Sequence, residues 1–316
     1  MRSLTVKRCW PARLALLTAA SASILVAAAS PALAARPGHG GGGSTSTPTG
    51  NDVSYPQCGG SLPSKPAFGI VGLNGGLAND LNPCFGPSAS YKSYTESELY
   101  WAVAATTGGT SQPKASIYVN TADPGGFYGG APIADWPISG STPLGTCTTT
   151  TVTSGGTTYT VGASSPACAW QYGYQKAAQD TTWLSDAAAA IDGQGPRVQV
   201  TGSASSYPWW LDVETGNTWQ GGASGQAMNS ADLQGMVAAL REAGAPAVGV
   251  YSTSSQWDEI TGGTTGASGS LVGLPDWIPG ARRLSGAVSD CSDSSFTLGS
   301  VTVTQWFANP DGDYAC

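Results

Sequence analysis

Histidine is almost missing from this chain: 316 residues hold one, His39. It lies in ARPGHGGGGSTSTPTG, residues 35–50, a stretch with no apolar periodicity. The absence removes Ser-His-Asp and Cys-His nucleophile systems, and histidine-ligated zinc, from the remaining sequence. Proton transfers there fall mainly to carboxylates. Glycoside hydrolysis needs only acidic side chains and survives this cut. No CxxC spacing occurs either, so nothing implies a metal site or a cofactor. Beyond the N-terminus no apolar run is long enough to cross a bilayer.

The N-terminus itself is different. Arg2, Lys7, Arg8 and Arg13 precede an apolar run from about Leu14 to Ala29, and Ala32-Leu33-Ala34 follows. This order predicts a cleaved export signal over residues 1–34. A membrane anchor is the alternative, but the run is short, contains Thr18, Ser21 and Ser23, and ends in a small-x-small site. The signal takes four of the 13 basic residues and none of the 20 acidic ones. Nine basic groups then face 20 acidic ones, a net charge of −11. Such a surface repels nucleic acid and anionic lipid, so neither is an expected partner. A soluble, extracellular monomer is the expectation.

Six cysteines remain after Cys9 leaves: Cys58, Cys84, Cys147, Cys168, Cys291 and Cys316. An even number in an exported chain implies disulfides, with fifteen possible pairings. The sequential pairing, 58–84, 147–168 and 291–316, is preferred because each bond closes a modest local loop.

After the 35–50 tether, residues 51–316 alternate between strand-like and helix-like segments. Candidate strands lie near 52–55, 68–73, 115–119, 209–214, 247–251, 275–278, 284–288 and 301–307. Thr95 to Glu98 reads as a capping box opening a helix. Tyr174 to Ile191 keeps three-four apolar spacing, as do Leu233, Met236, Val237 and Leu240, with Asn229 or Ser230 as the second helix's cap and Gly244 as its stop. A Gly/Thr-rich stretch of about 124–166 interrupts the pattern. The expected fold is α/β, an irregular (β/α)8 TIM-type barrel with a disulfide-stapled insertion.

The densest chemistry lies in Trp210-Leu211-Asp212-Val213-Glu214. Alternate strand residues share a face, so Leu211 and Val213 point to packing helices while Trp210, Asp212 and Glu214 point inward. Buried acids are costly unless they sit at the open carboxyl end of a barrel, and Thr215-Gly-Asn marks the chain leaving the strand there. Same-face neighbours lie roughly 6–7 Å apart, close enough to split their pKa values as glycosidic cleavage requires. The bland alternative is a pair of solvated acids capping a helix or pairing with Arg282 or Arg283.

Three segments, Asn51-Asp-Val-Ser-Tyr-Pro-Gln57, the LDVE strand and Thr304-Gln-Trp-Phe-Ala-Asn-Pro-Asp-Gly-Asp313, together resemble glycoside hydrolase family 25. The resemblance implies a barrel with an acidic cleft that cuts the glycan of peptidoglycan. By motif it assigns Asp52, Asp212, Glu214 and Asp313 to the site. Glu214 would be the general acid/base, and Asp212 would stabilise the transition state or orient an acetamido group. The family's middle-strand histidine is absent at Ser116-Ile-Tyr-Val-Asn-Thr-Ala-Asp123, and the cysteines and the insertion are also atypical. This marks a divergent branch, of a secreted actinobacterial kind. Against these roles, Asp52 could cap the first loop, and Asp311-Gly-Asp313 could be a turn delivering Cys316.

Trp210, Tyr55, Tyr251 and Trp306 are the candidate sugar-binding rings, and Trp219, Trp257 and Trp277 also lie near strand ends. The leading reading is a secreted lysozyme-type hydrolase with a polysaccharide substrate. Its rivals are a glycan-binding domain that kept the barrel without turnover, and a purely structural secreted domain.

Overall fold

Short apolar runs bounded by Gly, Pro and Ser become the strands of a closed barrel. The computed structural model describes residues 47–316 apart from 76 and 264–268. The predicted export signal and most of the tether lie outside these residues. The barrel strands are β1 (Gly50–Val53), β2 (Gly69–Gly72), β3 (Ala115–Asn120), β4 (Trp209–Asp212), β5 (Val248–Tyr251), β6 (Asp276–Ala281), β7 (Val301–Trp306) and β8 (Gly312–Ala315). They stand around the barrel in chain order and close β8 onto β1. Neighbours from β1 to β7 pair in parallel, while β8 runs antiparallel to both β7 and β1.

The helical crossovers are α1 (Glu98–Ala104), α2 (Pro166–Asp192), α3 (Gly222–Glu242), α4 (Ser254–Thr261) and α5 (Leu284–Asp290). They connect β2 through β7 in turn. Between β1 and β2 there is only a 3-10 turn at Tyr55–Gln57, and β7 joins β8 without a helix. These two places are where the barrel departs from a regular (β/α)8 form.

Three expectations need correction. Residues 284–288 are the start of α5, not a strand, and the eighth strand is β8. Antiparallel pairing lets β8 follow β7 through a short turn, where a parallel strand would need a crossover. The capping box belongs to Ser93 and Glu96 on a 3-10 turn, and Ser97 caps α1 through Tyr100 N. Glu98 is instead buried, bonded to Asn82 Nδ2. Finally, α3 begins at Gly222, seven residues before Asn229. Asn229 lies buried inside the helix, where its amide bonds Gln220 O and Ile260 O.

Strand alternation divides the core. Ile117, Val119, Leu211 and Val213 point outward into a cluster with Leu184, Ile191, Leu233 and Val237 of α2 and α3. Each such side chain contributes about 1.5–3 kcal/mol before its entropy cost. Phe68, Ile70, Trp210, Trp277 and Val303 fill the barrel interior. Gly249 of β5 makes room for Trp210, because a Cβ there would strike the indole and Pro275 O.

The insertion consists of three hairpins, 127–132, 140–147 and 149–162. Cys147–Cys168 fastens it to α2. Cys58–Cys84 links the segments after β1 and β2, and Cys291–Cys316 ties the segment after α5 to the end of β8. The sequential pairing is thus the one observed. Among the described residues, no helix is long and apolar enough to cross a membrane.

Candidate active site

The carboxyl ends of the strands bring the acids together. Parallel register places Asp212 of β4 level with Tyr251 of β5, and Tyr251 level with Trp277 of β6. Inward alternation then aims these three side chains and Tyr118 of β3 at one space. Asp52 of β1, Gln305 of β7, Asp311 before β8, and Glu214 just beyond β4 complete a cleft of about 110 Å³. Larger hollows of about 480, 500 and 530 Å³ lie elsewhere, beside α1, against α3 and along α2. They do not gather this set of acids.

The backbone around Asp212 and Glu214 is pinned. Thr121 Oγ1 and Asn217 Nδ2 donate to Asp212 O at 2.6 and 3.0 Å. Trp219 Nε1 donates to Glu214 O at 2.8 Å. Thr215 N donates to Gln256 Oε1 at 2.7 Å, which ties the segment to α4. Asp52 accepts from Gln305 Nε2 at 2.9 Å, and Gln305 Oε1 accepts from Tyr251 OH at 3.1 Å. Asp212 Oδ1, in contrast, is buried with no hydrogen-bond partner. Among the described residues no ion pair joins Arg282 or Arg283 to either acid of β4, so the solvated-pair alternative is not what the fold presents.

Burial sets the electrostatics. Asp52 is pushed up to about 6, first by burial and then by the charge of Asp311, against the opposing hydrogen bond from Gln305. Asp212 is raised well above the usual carboxylate range by burial, then by Glu214 and by Asp52. Glu214, half-buried at the mouth, is also raised by burial, with a hydrogen bond from Gln256 opposing. The pair therefore keeps a proton at a pH where an isolated carboxyl has lost its own.

The candidate residues separate into two groups. Asp52, Asp212, Glu214 and Tyr251 line the cleft. Asp313, Trp210, Trp306 and Tyr55 do not. Asp313 is fully buried beneath it, accepting from Trp277 Nε1 at 3.0 Å, and burial and Asp52 raise its pKa. Its neighbour Asp311 lines the cleft instead. Trp210 packs edge-on against Trp277 in the interior. Trp306 folds its indole over Gly312 of β8. Tyr55 stands 66% exposed on the turn after β1. Trp219 braces Glu214 from behind, and Trp257 is buried core. Sequence reasoning overlooked Gln305, Tyr118 and Asp311. Alternation from Val303 would have found Gln305, and alternation from Ile117 would have found Tyr118.

Parts of the chain are similar to known proteins. "Probable GH family 25 lysozyme 4" of Dictyostelium discoideum is 36% identical over 87 residues, 27% of this chain and 38% of that protein. "Probable GH family 25 lysozyme 2" of the same organism is 42% identical over 59 residues, 19% of this chain and 26% of that protein. The chain resembles glycoside hydrolase family 25. It matches little more than a third and a quarter of the lengths of these two relatives. No family model matches it. The structure of a muramidase from Trichobolus zukalii aligns with a TM-score of 0.38 and 14% identity, covering 85% of this chain and 93% of that one.

Proposed function

We propose that this protein is a secreted glycoside hydrolase of lysozyme type that cleaves the glycan of peptidoglycan. One observation carries the reading: three acids from two distant strands, Asp52, Asp212 and Glu214, meet in a single cleft open at the carboxyl end of a barrel. Glu214 is the one at the mouth, where a glycosidic oxygen can reach it, and it acts as general acid. Asp212 is deeper, and its unpartnered oxygen receives the substrate's acetamido N–H or faces the oxocarbenium charge. Asp52, held by Gln305, sets the potential on the opposite side of the ring. Asp313 lies beneath the floor and holds Trp277 in place. A raised pair of carboxyls supplies the one proton this chemistry needs without histidine.

Three disulfides fit an oxidising compartment where the predicted export signal would deliver the chain. The test is incubation of the protein, from residue 35 onward, with purified peptidoglycan. New reducing ends, with products of muropeptide mass, are the expected result. Sedimentation with the insoluble wall and no new reducing ends would instead identify a binding domain without turnover.

A further inference from the structure

The cleft is small for a glycan. Its 110 Å³ is far below the roughly 300–1,000 Å³ of pockets that engulf a ligand. A polysaccharide must therefore rest across the rim, and the rim residues decide how it is held. On β7 the inward column runs Val303 in the barrel interior, then Gln305 in the cleft. Phe307 follows just past the end of β7, 65% exposed, and the next residue, Ala308, bonds Asp311 of the cleft lining.

The position of Phe307 is fixed from both sides. Its backbone N donates to Ala281 O at 2.9 Å, tying it to the end of β6. The turn that follows is closed by Ala308 N donating to Asp311 Oδ1 at 3.1 Å, and Asp311 O accepts from Asn51 Nδ2 of β1 at 2.9 Å. Trp306 next to it faces the other way and covers Gly312, so Phe307 is not left over from that packing. Tyr55, equally exposed, stands after β1, one strand beyond β8 and so about 10 Å from β7 at strand spacing.

We infer that Phe307 is a stacking platform for a neutral pyranose unit beside the acidic cleft. This rests on the glycan-cleaving reading above and names how the substrate is held. The chemistry of the neighbourhood selects the ligand. A flat apolar ring matches the C–H face of a sugar. The adjacent carboxyls of Asp52, Glu214 and Asp311 accept from hydroxyl and acetamido donors. Among the described residues no basic side chain lines the cleft, which disfavours a phosphate or sulfate group there.

The experiment uses peptide-free glycan strands from peptidoglycan as the probe and the Glu214→Gln protein as receptor, read by calorimetry. Phe307→Ala in that background is expected to weaken binding about three- to tenfold, as the loss of one aromatic contact does. Phe307→Trp is expected to retain it. In the active protein, Phe307→Ala raises KM by a similar factor and leaves kcat near its starting value. Unchanged binding by Phe307→Ala, failure of Phe307→Trp to restore it, or no binding of the strands at all overturns the platform. Ring-dependent binding without turnover by the wild type would leave the platform standing and remove the hydrolase. Turnover that ignores Phe307→Ala would do the reverse.

Discussion

Two clusters of acids lie in this barrel, and they differ in what surrounds them. At the strand ends, Asp52, Asp212, Glu214 and Asp311 share an open cleft that no cation lines among the described residues. Behind the segment after β3, Asp123, Asp180 and Asp232 are buried among α2, α3 and the insertion, with Lys176 facing them. Asp232 has no hydrogen-bond partner on either oxygen, and Asp123 is pushed up to about 7 by burial. Perturbed carboxyls alone would thus nominate both clusters. Opening to solvent and placement at the strand ends separate them. The second cluster braces: Asp123 N donates to Thr218 O at 2.9 Å, and Asp123 Oδ1 accepts from Gln220 Nε2 at 2.7 Å. It holds the segment that carries Glu214.

The contrast breaks most visibly at Lys176, which pairs with Asp135 of the insertion and faces Asp180 and Asp232. Lys176→Met removes the ammonium that bonds Asp135 and Asn79 and faces this buried cluster. A loss of about 3 kcal/mol in unfolding free energy is expected from the two charge-assisted bonds to Asn79 and Asp135, measured by denaturant titration near neutral pH. Glu214→Gln, in contrast, should leave that free energy within about 1 kcal/mol of the wild type.

A pH series separates the clusters next. A carboxyl raised in the folded state keeps a proton that the unfolded chain has released. Folding therefore takes up protons between about pH 4 and 7, and stability falls as pH rises through that window. Asp123 and Glu98, both near 7, and Asp52, near 6, contribute in this direction. The protein should be more stable at pH 5 than at pH 8. Asp123→Asn should remove a part of that slope worth a few kcal/mol.

Within the cleft the expected shift is smaller. The last proton of the Asp212–Glu214 pair leaves only by setting two negative charges side by side. Hydrolysis should fall as pH rises through that step. In Asp212→Asn the repulsion is gone, so the alkaline limb of the residual activity should move toward acid by about one pH unit. A limb that stays in place would mean that the two acids do not share a proton. Smallest of all is Gln305→Leu, which takes a hydrogen bond from the Asp52 carboxylate. Carboxyl NMR should show Asp52 titrating above its starting value of about 6, by less than one pH unit.

How far the sequence reaches follows from the physics of each element. Alternation placed Leu211 and Val213 outward and Asp212 and Glu214 inward because a strand has only two faces. Cysteine spacing favoured the observed disulfides because each loop is local. The end of the barrel was harder to read. Leu284 to Val288 looks like a strand by its apolar content, yet seven residues of it and its neighbours coil into α5. β8, which reads GDYA, has no apolar alternation to announce it. In the site, the motif match assigns Asp313, and only the register of β8 against β1 and β7 shows that Asp313 is buried while Asp311 reaches the cleft. Trp306 carries the ring type that binds sugars, and only its packing over Gly312 shows that it faces away from the cleft. Asp123 and Asp232 stand far apart in sequence, and no local pattern reveals that they meet.

The cleft of carboxylates is the central claim, and one comparison tests it most directly. Reducing ends released from purified peptidoglycan are counted for the wild type and for Glu214→Gln, both shown to unfold at the same midpoint. The account predicts release by the wild type and a loss of at least about a hundredfold in the variant, the scale of a missing general acid. Equal release by the two proteins would contradict it.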